Sequence, residues 1–155
     1  MKLATRRSVD EKSFTTALLV DQSPFEVFAA VTNVPAWWTG EVKGKSMRVG
    51  DEFTFRYEDI HFTRQKLVEV IPEKRIVWLV MEARLSFAND PAEWVGTRIV
   101  FDIARKGRQT ELRFTHEGLS PDCDCFEACH AGWSFYIGGS LKALITTGRG
   151  QMAAN

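Results

Sequence analysis

Two groups of residues in this chain are equipped for chemistry: a cluster of thiols beside an imidazole, and histidine, tyrosine and serine side chains set among aromatic residues. The cluster is Cys123-x-Cys125-x-x-x-Cys129-His130. Thiolate and imidazole are the ligands zinc prefers, and Cys125 and Cys129 stand one helical turn apart, a spacing that two metal ligands can share. The pattern stops there, because Cys-x-Cys is not a usual zinc spacing and the chain has no second cluster. No metal is assigned. At a helix start the dipole favours thiolate, so Cys125 could be a low-pKa thiol; Cys129, on an apolar stripe, reads as a small buried hydrophobe. The second group is Tyr57, His116, His130, Tyr136 and Ser140, which could orient a ligand or move a proton. A lone histidine among apolar residues is more commonly held by a neighbouring partner. No acid/base pair is evident, since Asp102 alternates to the side opposite Phe101 and should be solvated. No catalytic residue and no cofactor are assigned.

The element that must position several of these groups runs from Asp124 to Gly148. At 100° per residue Phe126, Cys129, Trp133, Ile137, Ser140 and Leu144 fall on one stripe, with His130 and Tyr136 at its edges and Phe135 opposite. Asp124 followed three residues later by Glu127 reads as a capping box, and Gly148 as a left-handed C-cap. Three interior glycines, Gly132, Gly138 and Gly139, each cost roughly 1 kcal/mol relative to alanine, so tertiary packing must hold this helix.

The packing comes from strands. Residues 1–12 are polar without periodicity and read as a frayed tail, leaving 13–151 as one domain. Phe14 to Val20 is β-rich; Ser23, Pro24 and Glu26 then supply an N-cap, an N1 proline and an N3 glutamate for a short helix. Asn33-Val34-Pro35 breaks it, and Ala36 to Gly40 makes a second helical turn or loop bearing Trp37 and Trp38, at least one of which must face inward. Phe53, Phe55 and Tyr57 alternate with polar residues on a strand that turns at Glu58-Asp59. A strand from His61 to Ile71 and a central one from Arg75 to Ala83 follow. Arg84 to Gly96, with Phe87 and Trp94, reads as a long loop folding over something apolar. A last hairpin, Thr97–Ala104 with Thr110–Glu117, puts Ile99, Phe101 and Ile103 on one side of its first strand and Leu112, Phe114 and His116 on one side of its second.

Composition bounds the rest. A chain of 155 residues, 45% apolar with eleven Phe and five Trp, can bury a sizeable core. Twenty basic and twenty acidic residues cancel, which argues against nucleic acid or an anionic membrane as partner. No stretch is apolar for long enough to span a bilayer, no apolar signal region follows the N-terminal charges, and three clustered cysteines suit a reduced cytoplasm. The expected fold is α+β, a curved antiparallel sheet of six to seven strands wrapped around the long C-terminal helix.

This order of elements resembles the helix-grip fold of the START-like (SRPBCC) superfamily. Pro35-Ala36-Trp37-Trp38, Val68 to Pro72, Glu93 to Thr97, Phe114 to Leu119, and Gly132-Trp133 running to Ser140-Leu141-Lys142 and Thr147-Gly148 resemble its branch named after the activator of the heat-shock chaperone ATPase. The resemblance implies an apolar ligand held between sheet and helix, or a chaperone partner in a stress-response setting, or a cyclase- or hydrolase-like reaction in the same cavity. At 155 residues the chain is expected not to include the additional N-terminal chaperone-binding domain of the namesake, which weighs against a co-chaperone role. Ligand binding by Trp38, Phe53, Phe55, Tyr57, Trp78, Phe101, Phe114, His116, His130, Trp133, Tyr136 and Ile137 is the expectation carried forward. A chaperone or other protein partner and a cavity enzyme are the alternatives, with either a monomer or a homodimer, since Phe135 could mark a self-association surface.

Overall fold

The computed structural model describes residues 13–86, 88, 90–119 and 126–151. The expected tail (1–12), Phe87, Cys123, Asp124 and Cys125 lie outside the described residues, and with them the Asp124 cap and two of the three thiols. The elements are β1 (Ser13–Val20), α1 (Pro24–Thr32), a 3-10 turn (Val34–Ala36), β2 (Glu41–Gly44), β3 (Glu52–Tyr57), β4 (His61–Ile71), β5 (Arg75–Leu85), β6 (Arg98–Lys106) and β7 (Gln109–Glu117). A C-terminal helix follows in three contiguous parts: α2 (Phe126–Trp133), a π-helical stretch (Ser134–Leu141) and α3 (Lys142–Thr147). Among the described residues seven strands form one antiparallel sheet in the order β1-β7-β6-β5-β4-β3-β2. The α+β helix-grip architecture is therefore present, with the curved sheet around the long helix.

Local chemistry sets the element ends. Ser23 Oγ accepts from the Glu26 amide at 3.2 Å while Glu26 Oε1 accepts from the Ser23 amide at 2.9 Å, the reciprocal box that its spacing predicts. α1 stops at Thr32, and Pro35 sits inside the tighter turn that follows, so the second helical turn begins at Val34 rather than Ala36. β2 was not among the strands read from the sequence. It has four residues, Glu-Val-Lys-Gly, at the sheet edge, where charge and shortness protect against pairing with another chain and erase the hydrophobic alternation. Gly44, at φ 110, closes it against β3, where a Cβ would overlap the Glu52 carbonyl oxygen. The last hairpin turns in two residues, Gly107 and Arg108, with Gly107 at φ 65, and its registers Ile99↔His116, Phe101↔Phe114 and Ile103↔Leu112 place the two expected apolar rows face to face.

β4 and β5 carry two irregularities in register, between Arg64 and Gln65 and between Leu67 and Glu69. Each inserts a residue on one strand and flips the faces beyond it. On β5 the residues packed into the core cluster are Ile76, Trp78 and Val80 before the slip and Ala83 and Leu85 after it. Bulges also bend and twist a strand, which lets this sheet curl around a helix.

The helix stripe shifts in the same manner. Cys129, Trp133, Ile137 and Ser140 are buried as the periodicity expects, but Leu141 and Ile145 take the next places and Leu144 is only partly buried. Residues 129, 133, 137, 141 and 145 are spaced by four, a spacing that an ideal α-helix would carry around its axis. The wider π-helical winding at Ser134–Leu141 keeps them on one face. Gly148 closes the helix at φ 84 with its amide on the Leu144 carbonyl, as expected.

The core is aromatic. Trp37 and Trp38 are both buried, and Trp78 is ringed by Trp37, Phe53 and Phe101 at centroid distances of 6.2, 4.9 and 4.9 Å. A fully buried ring removes roughly 150–250 Å² from water, on the order of 4–6 kcal/mol of transfer free energy before entropy is counted. On the outer sheet face Arg75 bridges Asp102 (2.6 Å) and Glu69 (3.2 Å), so Asp102 points outward as its alternation requires. Among the described residues no helix is long and apolar enough to cross a membrane.

Candidate functional site

Where the β3–β4 hairpin meets the start of the helix, the aromatic packing leaves a cavity of about 330 Å³. Phe55, Tyr57, Ile60 and His61 supply the sheet side, and Ala128, Cys129, Gly132, Trp133 and Tyr136 the helix side. Trp38 forms one end and Trp94, from the long loop, another. Ala128 and Ile60 are exposed while Trp38, Phe55, Trp94 and Trp133 are buried, so the mouth lies at the former and the floor at the latter. Phe55 stacks on Trp38 at 4.0 Å and 9°, and Trp94 on Trp133 at 5.7 Å and 11°. Two stacked pairs thus build most of the floor.

Behind the floor runs one hydrogen-bonded chain. Trp133 Nε1 donates to His116 Nδ1 (3.1 Å), and His116 Nε2 meets Thr97 Oγ1 (2.8 Å), whose hydroxyl reaches the Trp94 carbonyl oxygen (2.6 Å). An indole can only donate, so Nδ1 must accept and the proton of the neutral imidazole sits on Nε2. Thr97 Oγ1 accepts a hydrogen bond from that N–H and donates its own to the Trp94 carbonyl oxygen. Every member is satisfied, and the long loop is tied to β7 and to the helix. Burial pushes the His116 pKa down to about 3, with the neighbouring His61 adding to the effect.

His61 stands edge-on to Phe55 (5.0 Å) and Trp94 (5.1 Å), and burial pushes its pKa down to about 3 as well. Its inward neighbours on β4, Thr63 and Gln65, are fully buried, and Gln65 Nε2 donates to Thr63 Oγ1. Tyr136 is pushed up to about 12, first by burial and then by Tyr57. At neutral pH His61 and Tyr136 therefore face the cavity as neutral groups.

Of the twelve residues expected at a site, Trp38, Phe55, Tyr57, Trp133 and Tyr136 line this cavity. Phe53, Trp78, Phe101, Phe114 and Ile137 are packed in the adjoining core, and His116 lies one residue behind the wall, bonded to Trp133. His130 is exposed, its ring against Phe14 (4.9 Å) and Phe126 (5.8 Å). Ser140 is spent on structure, donating to the Trp37 carbonyl at 2.7 Å and accepting from the Gln151 amide at 2.9 Å. Phe135, expected on an open face, is partly buried against Tyr136. Sequence reasoning missed His61 as a wall residue, because both halves of the β4 alternation are polar here: His61, Thr63 and Gln65 face inward, against Phe62, Arg64 and Lys66 outward. The outward half includes Phe62, which is sandwiched between the guanidinium groups of Arg56 and Arg84 at 4.8 and 4.5 Å. The signal was present in Leu67, in phase with His61 and fully buried.

A curved sheet gripping a long helix over an aromatic cavity defines the START-like class of helix-grip proteins. Within it the chain belongs to the family of activator of Hsp90 ATPase homolog 1-like proteins, whose model matches residues 21–146. Among solved structures it is similar to the Aha1 dimer from Colwellia psychrerythraea, at 27% identity and a TM-score of 0.72 over 89% of this chain and 98% of that one. An Hsp90 activator from Plasmodium falciparum shares the fold at 16% identity and a TM-score of 0.62, over 86% of this chain and 93% of that one. So does DynU16, a protein in the dynemicin biosynthetic locus, at 18% identity and a TM-score of 0.68, over 92% of this chain and 50% of that one. Comparison with curated proteins finds no match.

Proposed function

We propose that residues 13–151 act as one cytoplasmic domain that binds a small, largely apolar molecule in the cavity between sheet and helix. The observation that carries this reading is the cavity itself, about 330 Å³ walled mainly by tryptophan, phenylalanine and tyrosine, a size and lining within the range of small-molecule sites. Binding suits it better than catalysis, since His61 and Tyr136 are held far from the pKa values at which they would move protons near pH 7. Gly132 gives a direct test: it lines the wall, and a Cβ built there meets nothing within 4 Å. The parent protein should take up neutral aromatics, read by native mass spectrometry and thermal shift, and Gly132→Leu should fold and lose that uptake. Undiminished uptake in a folded Gly132→Leu protein would remove the cavity as the site.

A second reading, a protein partner, is favoured by the family and by the likeness to the Colwellia Aha1 dimer. It expects the chain to self-associate or to raise the ATPase rate of a purified Hsp90, with Gly132→Leu leaving both effects intact. No association by sedimentation and no change in ATPase rate would set it aside.

A further inference from the structure

We infer that the ligand of this cavity is an uncharged, planar aromatic molecule of about two fused rings that carries a hydrogen-bond-accepting oxygen, received by the indole Nε1–H of Trp94. The inference rests on the binding reading above and specifies its chemistry.

Three observations lead to it. The first is size: an apolar cavity of about 150 Å³ holds a benzene, and this one is about 330 Å³, room for two rings with a small substituent. The second is a donor without an acceptor. Trp94 is 3% exposed and lines the cavity, yet its Nε1 has no hydrogen-bond partner among the described residues. Its neighbours differ: Trp37 Nε1 donates to the Val31 carbonyl at 3.1 Å and Trp133 Nε1 to His116. Buried donors in folded proteins are almost always matched, and an unmatched one carries its full desolvation cost. Trp94 Nε1 itself has almost no accessible surface in this structure, so a ligand oxygen reaches it only when the Trp94 ring turns at the wall. That contact would cancel the cost, and a hydrocarbon would not.

The third observation concerns charge. None of the wall residues is Asp, Glu, Lys or Arg, so a charged ligand would lose its hydration without gaining a counter-ion. A cation has the further option of a ring face, but one face of Trp38 is covered by Phe55 and one each of Trp94 and Trp133 by the other. Ring edges, which carry the positive end of the quadrupole, and the Trp94 N–H suit an oxygen lone pair instead.

The test compares near-isosteres on the full chain and on Trp94→Phe, which keeps a ring and removes the N–H. The probes are 2-acetylnaphthalene, 2-isopropylnaphthalene and trimethyl(2-naphthyl)ammonium, titrated by calorimetry. The expected result is that the ketone binds the parent protein roughly tenfold tighter than the hydrocarbon, that this preference disappears in Trp94→Phe, and that the ammonium ion binds most weakly. In ¹⁵N spectra of the parent protein, the ketone should move one indole N–H resonance, the one absent from Trp94→Phe, downfield. Equal binding of ketone and hydrocarbon by the parent overturns the inference and leaves the binding reading standing. A preference that survives in Trp94→Phe, or an indole resonance that does not move, overturns the assignment to Trp94. Tightest binding by the ammonium ion overturns the uncharged class. If no probe binds the parent, the binding reading falls and this inference with it.

Discussion

His116 has a single protonation pattern open to it inside this fold, because Trp133 can only donate to Nδ1 and Thr97 must then accept from Nε2. Thr97→Val keeps the shape and removes that acceptor, together with the hydroxyl that reaches the Trp94 carbonyl. The expected loss is about 1–3 kcal/mol, read from urea denaturation, with faster amide exchange in residues 90–96. A Thr97→Val protein of parental stability would mean that the network is incidental. Trp133→Phe tests the other end. Neutral His116 loses its Nδ1 donor, so its pKa should rise above about 3, which an NMR titration of the imidazole would follow. Alternation alone put His116 on the inner face with Leu112 and Phe114. Its partners, nineteen residues earlier and seventeen later in the chain, could not be read from local pattern, nor could the packing that sorts Phe55 to the cavity wall and Phe53 to the core.

At the scale of elements, what the sequence shows best is what local chemistry decides alone. The Ser23–Glu26 box, the Gly148 cap and the final hairpin are short-range devices and stand where their residues put them. The β4 and β5 faces were less legible, since a bulge leaves no signature in apolar periodicity and yet inverts every face beyond it. The helix stripe drifts for a related reason: an even 100° step cannot anticipate a π-helical stretch in its middle. The helix glycines make this testable. Gly138 is exposed, and a Cβ there meets nothing within 4 Å, so Gly138→Ala should add about 0.5–1 kcal/mol of stability and leave ligand uptake unchanged. Gly132→Ala should add a similar increment in urea, but its methyl enters the cavity and should weaken binding. Equal effects of the two substitutions on binding would detach Gly132 from the site.

Across the whole molecule, the two buried histidines tie stability to pH. His61 and His116 are held neutral, with pKa values near 3 against 6.5 in an open chain. Between those values the unfolded chain binds protons that the folded one refuses, so unfolding is favoured progressively as pH falls. Stability from this source is complete above about pH 6.5 and is withdrawn on descent toward pH 3, with a slope of at most about 1.4 kcal/mol per pH unit for each histidine. His116 has no accessible surface and carries the larger share; His61, at the cavity wall, carries less. Asp51, whose carboxylate is stabilised by the amides of Arg48 and Met47, acts in the same direction at the lower end of the range. At the alkaline end Tyr136, pushed up to about 12, favours unfolding above pH 10, where the open chain ionises first. Urea midpoints should therefore be flat from about pH 7 to 9 and fall on both sides, more steeply toward acid. Ligand adds a further expectation. An uncharged molecule seated against His61 opposes its protonation, so saturating 2-acetylnaphthalene should raise the midpoint at pH 5 while leaving the acid limb in place, because His116 lies behind the wall. A midpoint that stays constant from pH 7 down to 4 would show that neither imidazole is held neutral by the fold.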